Sequence, residues 1–139
     1  IHSLLQRLQR EPGANTFTFI SDHGEEVGEI DGFVGRSYRI KPTKFEIPLF
    51  FWFSPEYRKG RREFASAVSG YSNRPFQADS FIHLYMDIIG VWNQAYDPVK
   101  SVVSPFFRPK KRLLNNGYVS NIDYEEFCKK LETKTSENK

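Results

Sequence analysis

Thr16-Phe17-Thr18-Phe19-Ile20-Ser21, running straight into Asp22-His23-Gly24-Glu25-Glu26, is the stretch on which the reading of this chain turns. The first six residues are rich in β-branched and aromatic side chains and are bounded by turn residues, so they read as a buried strand. Upstream, Ile1, Leu4, Leu5 and Leu8 fall at i, i+3, i+4, i+7, one apolar face of a helix. Pro12 and Gly13 stop it. A helix feeding a short strand through a tight loop predicts an α/β fold, with a mainly parallel sheet as its usual consequence.

Downstream, Asp22 to Lys44 carries four glycines and many charges, and reads as a long loop. A loop of that length in a compact domain is usually functional or mobile. Pro48 to Phe53, PLFFWF, predicts a second apolar strand ended by Ser54-Pro55. Glu56 to Val68 predicts a helix interrupted at Gly60. Asp79-Ser80 predicts the N-cap of a helix through Ile89, closed by Gly90. Its apolar residues, among them Tyr85 and Met86, cover most of the circumference, so the helix is expected to be well buried. A last strand is expected near Arg112 to Leu114 and a short helix over Asp123 to Leu131. There is no internal repeat. Residues 1–131 read as one domain piece, and 132–139 as a polar tail that frays.

The 139 residues carry a formal net charge of +3, with Lys and Arg mixed among Asp and Glu. A nucleic-acid binder concentrates its basic residues on one face or arm. The one short run here, Arg108 to Arg112, reads as a solvated loop, so no nucleic-acid partner is expected. Cys128 is the only cysteine, which excludes an internal disulfide and a thiolate zinc site. No apolar run approaches the length of a membrane span. The opening IHSLLQRLQR lacks a starting Met and reads as the middle of an element. The chain is therefore expected to be a piece of a longer product, with any targeting or membrane segment upstream.

In open α/β sheets, ligands bind at the carboxyl ends of strands, which is where Asp22 and His23 stand. A carboxylate and an imidazole side by side form a donor set that zinc accepts. Gly24 is read as the bend that lets the two converge. Spacing alone is a weak signal, because a lone Asp-His-Gly is more often a turn whose Asp caps a backbone N–H. Glu25 is read as a supporting or loop-capping group, and Glu26 as solvated charge. His2 is read as exposed and His83 as a hydrogen-bonded core or edge residue. Trp52 and Trp92 read as packing residues.

The wider pattern shifts that balance. FTFISDHGEEVGE, then FVGRS, then EIPLFFWFSPEY, then ADSFIHLYMDIIGV and YDP, resembles the sulfatase-like phosphoethanolamine transferases of the alkaline phosphatase superfamily. The resemblance runs from the first helix to about Arg112 and centres on SDHGE. It implies part of an alkaline-phosphatase-like α/β/α sandwich, the C-terminal part of a periplasmic catalytic domain. The parent enzyme would sit in a Gram-negative inner membrane and use zinc. It would pass phosphoethanolamine from phosphatidylethanolamine to a lipopolysaccharide acceptor, lipid A or core, through a phospho-threonine intermediate. By the same resemblance Asp22 and His23 are metal ligands.

Two departures bear on activity. Relatives close the loop after SDHGE with a histidine near the phosphate, whereas this chain has Arg36 between Gly35 and Ser37. Arginine cannot donate a proton near neutral pH, but it can clamp a phosphate bidentately. The threonine nucleophile and the other ligands lie upstream in the family, and Thr16, Thr18 and Thr43 do not match its context. The chain is thus expected to hold half an active site, to bind zinc weakly and to be inactive alone. Two alternatives stay open: a sulfatase, phosphodiesterase or phosphoglycerol transferase of the same superfamily, and a non-catalytic domain degenerate at the phosphate site.

Overall fold

The computed structural model describes residues 1–28, 32–35, 40–115 and 121–137. Its elements are α1 (His2–Leu8), β1 (Thr16–Ile20), β2 (Glu26–Val27), β3 (Val34–Gly35), β4 (Leu49–Phe53), α2 (Pro55–Gly60), α3 (Arg62–Ser69), α4 (Phe81–Ile89), β5 (Leu113–Leu114), β6 (Ile122–Asp123) and α5 (Tyr124–Glu137). They divide into two compact units, Ile1–Thr18 with Phe50–Lys110, and Phe19–Leu49 with Lys111–Lys139.

Both predicted strands form and pair with each other as β1 and β4. The Ser54 N–H donates to Asn15 O at 2.9 Å, and the Ser21 N–H donates to Pro48 O at 3.3 Å. The paired numbers have the same sum at both ends, so the strands run antiparallel. The hairpin pairs β2 with β3, Glu26 opposite Gly35, and β5 pairs with β6, Leu113 opposite Asp123; both are antiparallel. The expected parallel sheet is therefore not what the described strands build. A parallel pair needs a crossover, usually a helix, and between β1 and β4 the described chain holds only a small hairpin and a 3-10 turn. β1 is half-buried along its whole length, less enclosed than its composition suggested.

In the first unit the core gathers Phe53, Tyr57, Leu84, Ile88, Val102 and Val103. Phe53 stacks on Tyr57 with centroids 4.6 Å apart. Leu84 and Ile88 are fully enclosed, each contributing about 2 kcal/mol of apolar burial. Ser54 caps α2 by accepting the Tyr57 N–H at 3.2 Å, with Pro55 following at the first helical position. The predicted single helix breaks at Arg61, whose backbone (φ −132, ψ 48) is not helical.

α4 has nearly the predicted limits, but its entry is a 3-10 turn over Ala78–Ser80 and Ser80 makes no side-chain cap bond. Gly90 closes it at φ 70, with the Val91 N–H returning to Met86 O at 3.1 Å. Only His83, Leu84, Asp87 and Ile88 are buried, while Ile82, Tyr85 and Ile89 are exposed. The helix packs on one face, and Tyr85 stacks on Phe81 at 5.9 Å instead of joining the core. His83 is buried and accepts the Asp97 N–H at 3.1 Å, as a core histidine should. Trp92 is half exposed, and its Nε1–H donates to Asp87 Oδ1 at 2.9 Å.

In the second unit Asp123 accepts the Glu126 N–H at 2.9 Å and so caps α5. That bond, joined by Lys111 at 3.1 Å, holds the Asp123 carboxyl below its usual range.

Candidate metal-binding turn

The turn that follows β1 belongs wholly to the second unit. The Ser21 hydroxyl donates to His23 O at 2.8 Å, fixing the backbone just past the strand. The Gly24 N–H then donates to Lys44 O at 3.0 Å, bringing the turn against the 3-10 segment Pro42–Lys44. Glycine is required at 24 by proximity: a Cβ there would lie 2.0 Å from Thr43 O and 2.9 Å from Glu46 O. Its role is close approach of two backbones, not the sharp bend inferred from sequence.

Asp22 and His23 project from this turn with side chains 89% and 45% exposed, and Asp22 Oδ2 is 3.9 Å from His23 Nε2. His23 Nδ1 lies 2.9 Å from Gly24 O. A carbonyl only accepts, so in the neutral ring Nδ1 carries the hydrogen and Nε2 keeps its lone pair. That is the tautomer a metal-binding histidine adopts when its other nitrogen is held by a carbonyl. Two donors about 2 Å from one ion stand somewhat closer than 3.9 Å, a gap that a small rotation of the exposed Asp22 closes. The donor chemistry fits zinc, as half a set. Among the described residues no group of three or more His, Cys, Asp and Glu side chains converges.

Glu25 is exposed beside the pair. Glu26 is not solvated. Its side chain is 2% exposed and pairs with Lys41 Nζ and, at 3.3 Å, with Lys44 Nζ. A carboxylate enters such a site only with cations to replace its water, and these two come from the residue before the Pro42–Lys44 segment and from the segment's last residue. Sequence reading missed both lysines, since lysine in a charged loop gives no sign that it will be buried. Arg36, expected near the phosphate, lies outside the described residues. The Thr18 and Thr43 hydroxyls are buried.

No protein-family model matches the chain. The phosphoethanolamine transferase EptC of Escherichia coli (strain K12) is 30% identical over 132 residues, 90% of this chain and 22% of that protein. The phosphoethanolamine transferase CptA of Salmonella typhimurium (strain LT2) is 31% identical over 114 residues, covering 77% of this chain and 19% of its own length. The chain thus spans about a fifth of the length of these relatives. The crystal structure of the C-terminal periplasmic domain of E. coli EptC in complex with Zn superposes with a TM-score of 0.76 at 28% identity, over 88% of this chain and 35% of that one. By sequence and by fold together, this chain is similar to the phosphoethanolamine transferases EptC and CptA, and it matches part of the C-terminal periplasmic domain of E. coli EptC.

Proposed function

We propose that this chain carries the Asp22–His23 half of a zinc site in an enzyme that transfers phosphoethanolamine. The observation that carries the reading is the 2.9 Å contact of His23 Nδ1 with Gly24 O, which places the hydrogen on Nδ1, together with the 3.9 Å separation of Nε2 from Asp22 Oδ2. The zinc-bound structure of the E. coli EptC domain supports the choice of metal. On this reading the remaining ligands and a threonine nucleophile lie outside these 139 residues, as does the mainly parallel part of the sandwich. The donor is phosphatidylethanolamine and the acceptor a lipopolysaccharide, at lipid A or the core. The threonine oxygen bonds to phosphorus as the diacylglycerol oxygen leaves, and an acceptor hydroxyl then displaces the threonine. Bound beside that threonine, zinc supplies Lewis acidity that favours the alkoxide and offsets charge on the phosphoryl oxygens.

The chain's own residues have narrower tasks. Asp22 and His23 hold the ion, Gly24 O fixes the imidazole, and Ser21 fixes the His23 carbonyl. Glu25 adds negative charge beside the pair. Arg36 clamps the phosphate of the donor as a permanent cation. No described helix is long and apolar enough to cross a membrane, and attachment to the inner membrane, facing the periplasm, is assigned to segments beyond this chain.

The test is mass spectrometry of lipopolysaccharide from cells with and without the complete gene product. A phosphoethanolamine adduct is expected with it, and loss of that adduct in Asp22→Asn. An unchanged lipopolysaccharide in both would exclude this acceptor, and an adduct that survives Asp22→Asn would remove the metal role.

A further inference from the structure

Glu26 has no part in the chemistry above, yet it is the most enclosed charged side chain among the described residues, at 2% exposure. Burying an ion pair is poor value for stability, since apolar groups of similar volume often serve as well or better. What such a pair does provide is a fixed geometry. Glu26 opens β2, four residues beyond Asp22, and its carboxylate is held by Lys41 and Lys44. Lys41 precedes, and Lys44 ends, the same 3-10 segment whose Lys44 carbonyl receives the Gly24 N–H and whose Thr43 carbonyl fills the space beside Gly24. The Asp22–His23 turn is therefore fastened to one short segment at two successive points, by backbone at 24 and by charge at 26.

We infer that Glu26 is a positioning residue for the Asp22–His23 metal pair, acting through Lys41 and Lys44 and never touching the ion. The inference rests on the zinc reading proposed above. With the tie at 26 lost, the turn is held against the Pro42–Lys44 segment by the Gly24 bond without the charge contact beside it, so the two donors spread over more separations and the ion meets them less often in register. Supporting partners of metal ligands typically contribute 10–100-fold to affinity.

The experiment measures zinc affinity of the complete gene product by competition with a chromophoric chelator, alongside thermal unfolding and hydrogen exchange at the Gly24 amide. Glu26→Gln is expected to weaken zinc binding about 10–100-fold and to speed Gly24 exchange. Because a neutral glutamine facing one buried and one partly buried lysine can unfold the protein, the deciding variant is Glu26→Leu with Lys41→Met and Lys44→Met. It keeps the volume and removes the charges. A native melting temperature with zinc affinity down about 10-fold or more supports the inference; wild-type zinc affinity in that variant overturns it. Asp22→Asn separates the two claims. If it leaves zinc binding intact, the zinc reading falls and the inference with it, whereas zinc lost in Asp22→Asn but not in the triple variant overturns positioning alone.

Discussion

The Gly24 amide donates to the Lys44 carbonyl at 3.0 Å, and the space where a side chain at 24 would sit is filled by the Thr43 carbonyl. Both neighbours are backbone, so neither can rotate away. Gly24→Ala must push the turn off the Pro42–Lys44 segment, at a cost of about 2–4 kcal/mol. Chemical denaturation should show that loss, together with weakened zinc binding. A variant as stable as wild type would mean the two backbones separate freely.

With two described donors, the 139-residue chain by itself should bind zinc far more weakly than a complete site. Four-ligand structural sites are worth about 10–16 kcal/mol, and half of that corresponds to a dissociation constant no tighter than about 1 μM. Isothermal titration checks this, with His23→Ala as the control that abolishes the signal. Tight one-to-one zinc in the wild-type chain would show that it supplies more ligands than Asp22 and His23.

Arg61 should matter more than its place in a helix break suggests. Its Nη1 donates to Asp87 O at 2.5 Å and Ile88 O at 2.7 Å, satisfying carbonyls in the last turn of α4, and to the Tyr57 hydroxyl at 3.0 Å. Its guanidinium also lies over Phe64 at 4.3 Å. Arg61→Ala is expected to cost about 2–3 kcal/mol in thermal unfolding. Arg61→Lys should recover less than half, because an ammonium has no flat face to lie over Phe64 and holds its donors at the end of a differently shaped, more flexible stem.

Tyr96 gives the alkaline limb of stability. Burial, then its hydrogen bonds to and the charge of Asp87, push its hydroxyl up to about 12 from 10.0. The neutral phenol is favoured by the fold, so its contribution is whole below pH 10. It is lost as pH rises from 10 through 12, where the unfolded chain ionises first. Tyr96→Phe removes the bonds at 2.8 and 2.9 Å to the two Asp87 oxygens. It should lower stability at pH 7 by about 1.5–3 kcal/mol and make the decline between pH 10 and 12 shallower. Tyr57 and Tyr124, also shifted upward, keep some slope. A decline as steep as in wild type would mean Tyr96 is not the group that titrates.

The legible parts of this chain were those set by local pattern. The strands at Thr16 and Leu49, the stop of α4 at Gly90 and the break near Gly60 all follow from residue type and spacing. SDHGE marked the turn for the same reason. Strand direction was not legible, because Thr16–Ile20 would look the same in a parallel or an antiparallel pair. Burial of charge was not legible either. Glu25 and Glu26 are identical neighbours in sequence, and only strand alternation together with two lysines some fifteen residues on makes the second an enclosed ion. The apolar surround of α4 misled, since Ile82, Tyr85 and Ile89 lie away from the core that Leu84 and Ile88 enter.

The pairing of Asn15 with Ser54 and of Ser21 with Pro48 has a kinetic consequence. β1 has no partner until the chain has travelled through the whole of Ser21 to Pro48 and returned, so the ladder forms only after a long loop closes, and that closure is entropically unfavourable before any contact repays it. The Asp22–His23 turn hangs from the end of that ladder. It therefore takes shape no earlier than that closure, and zinc present during refolding meets its two donors in register only once Ser21 and Pro48 have come together.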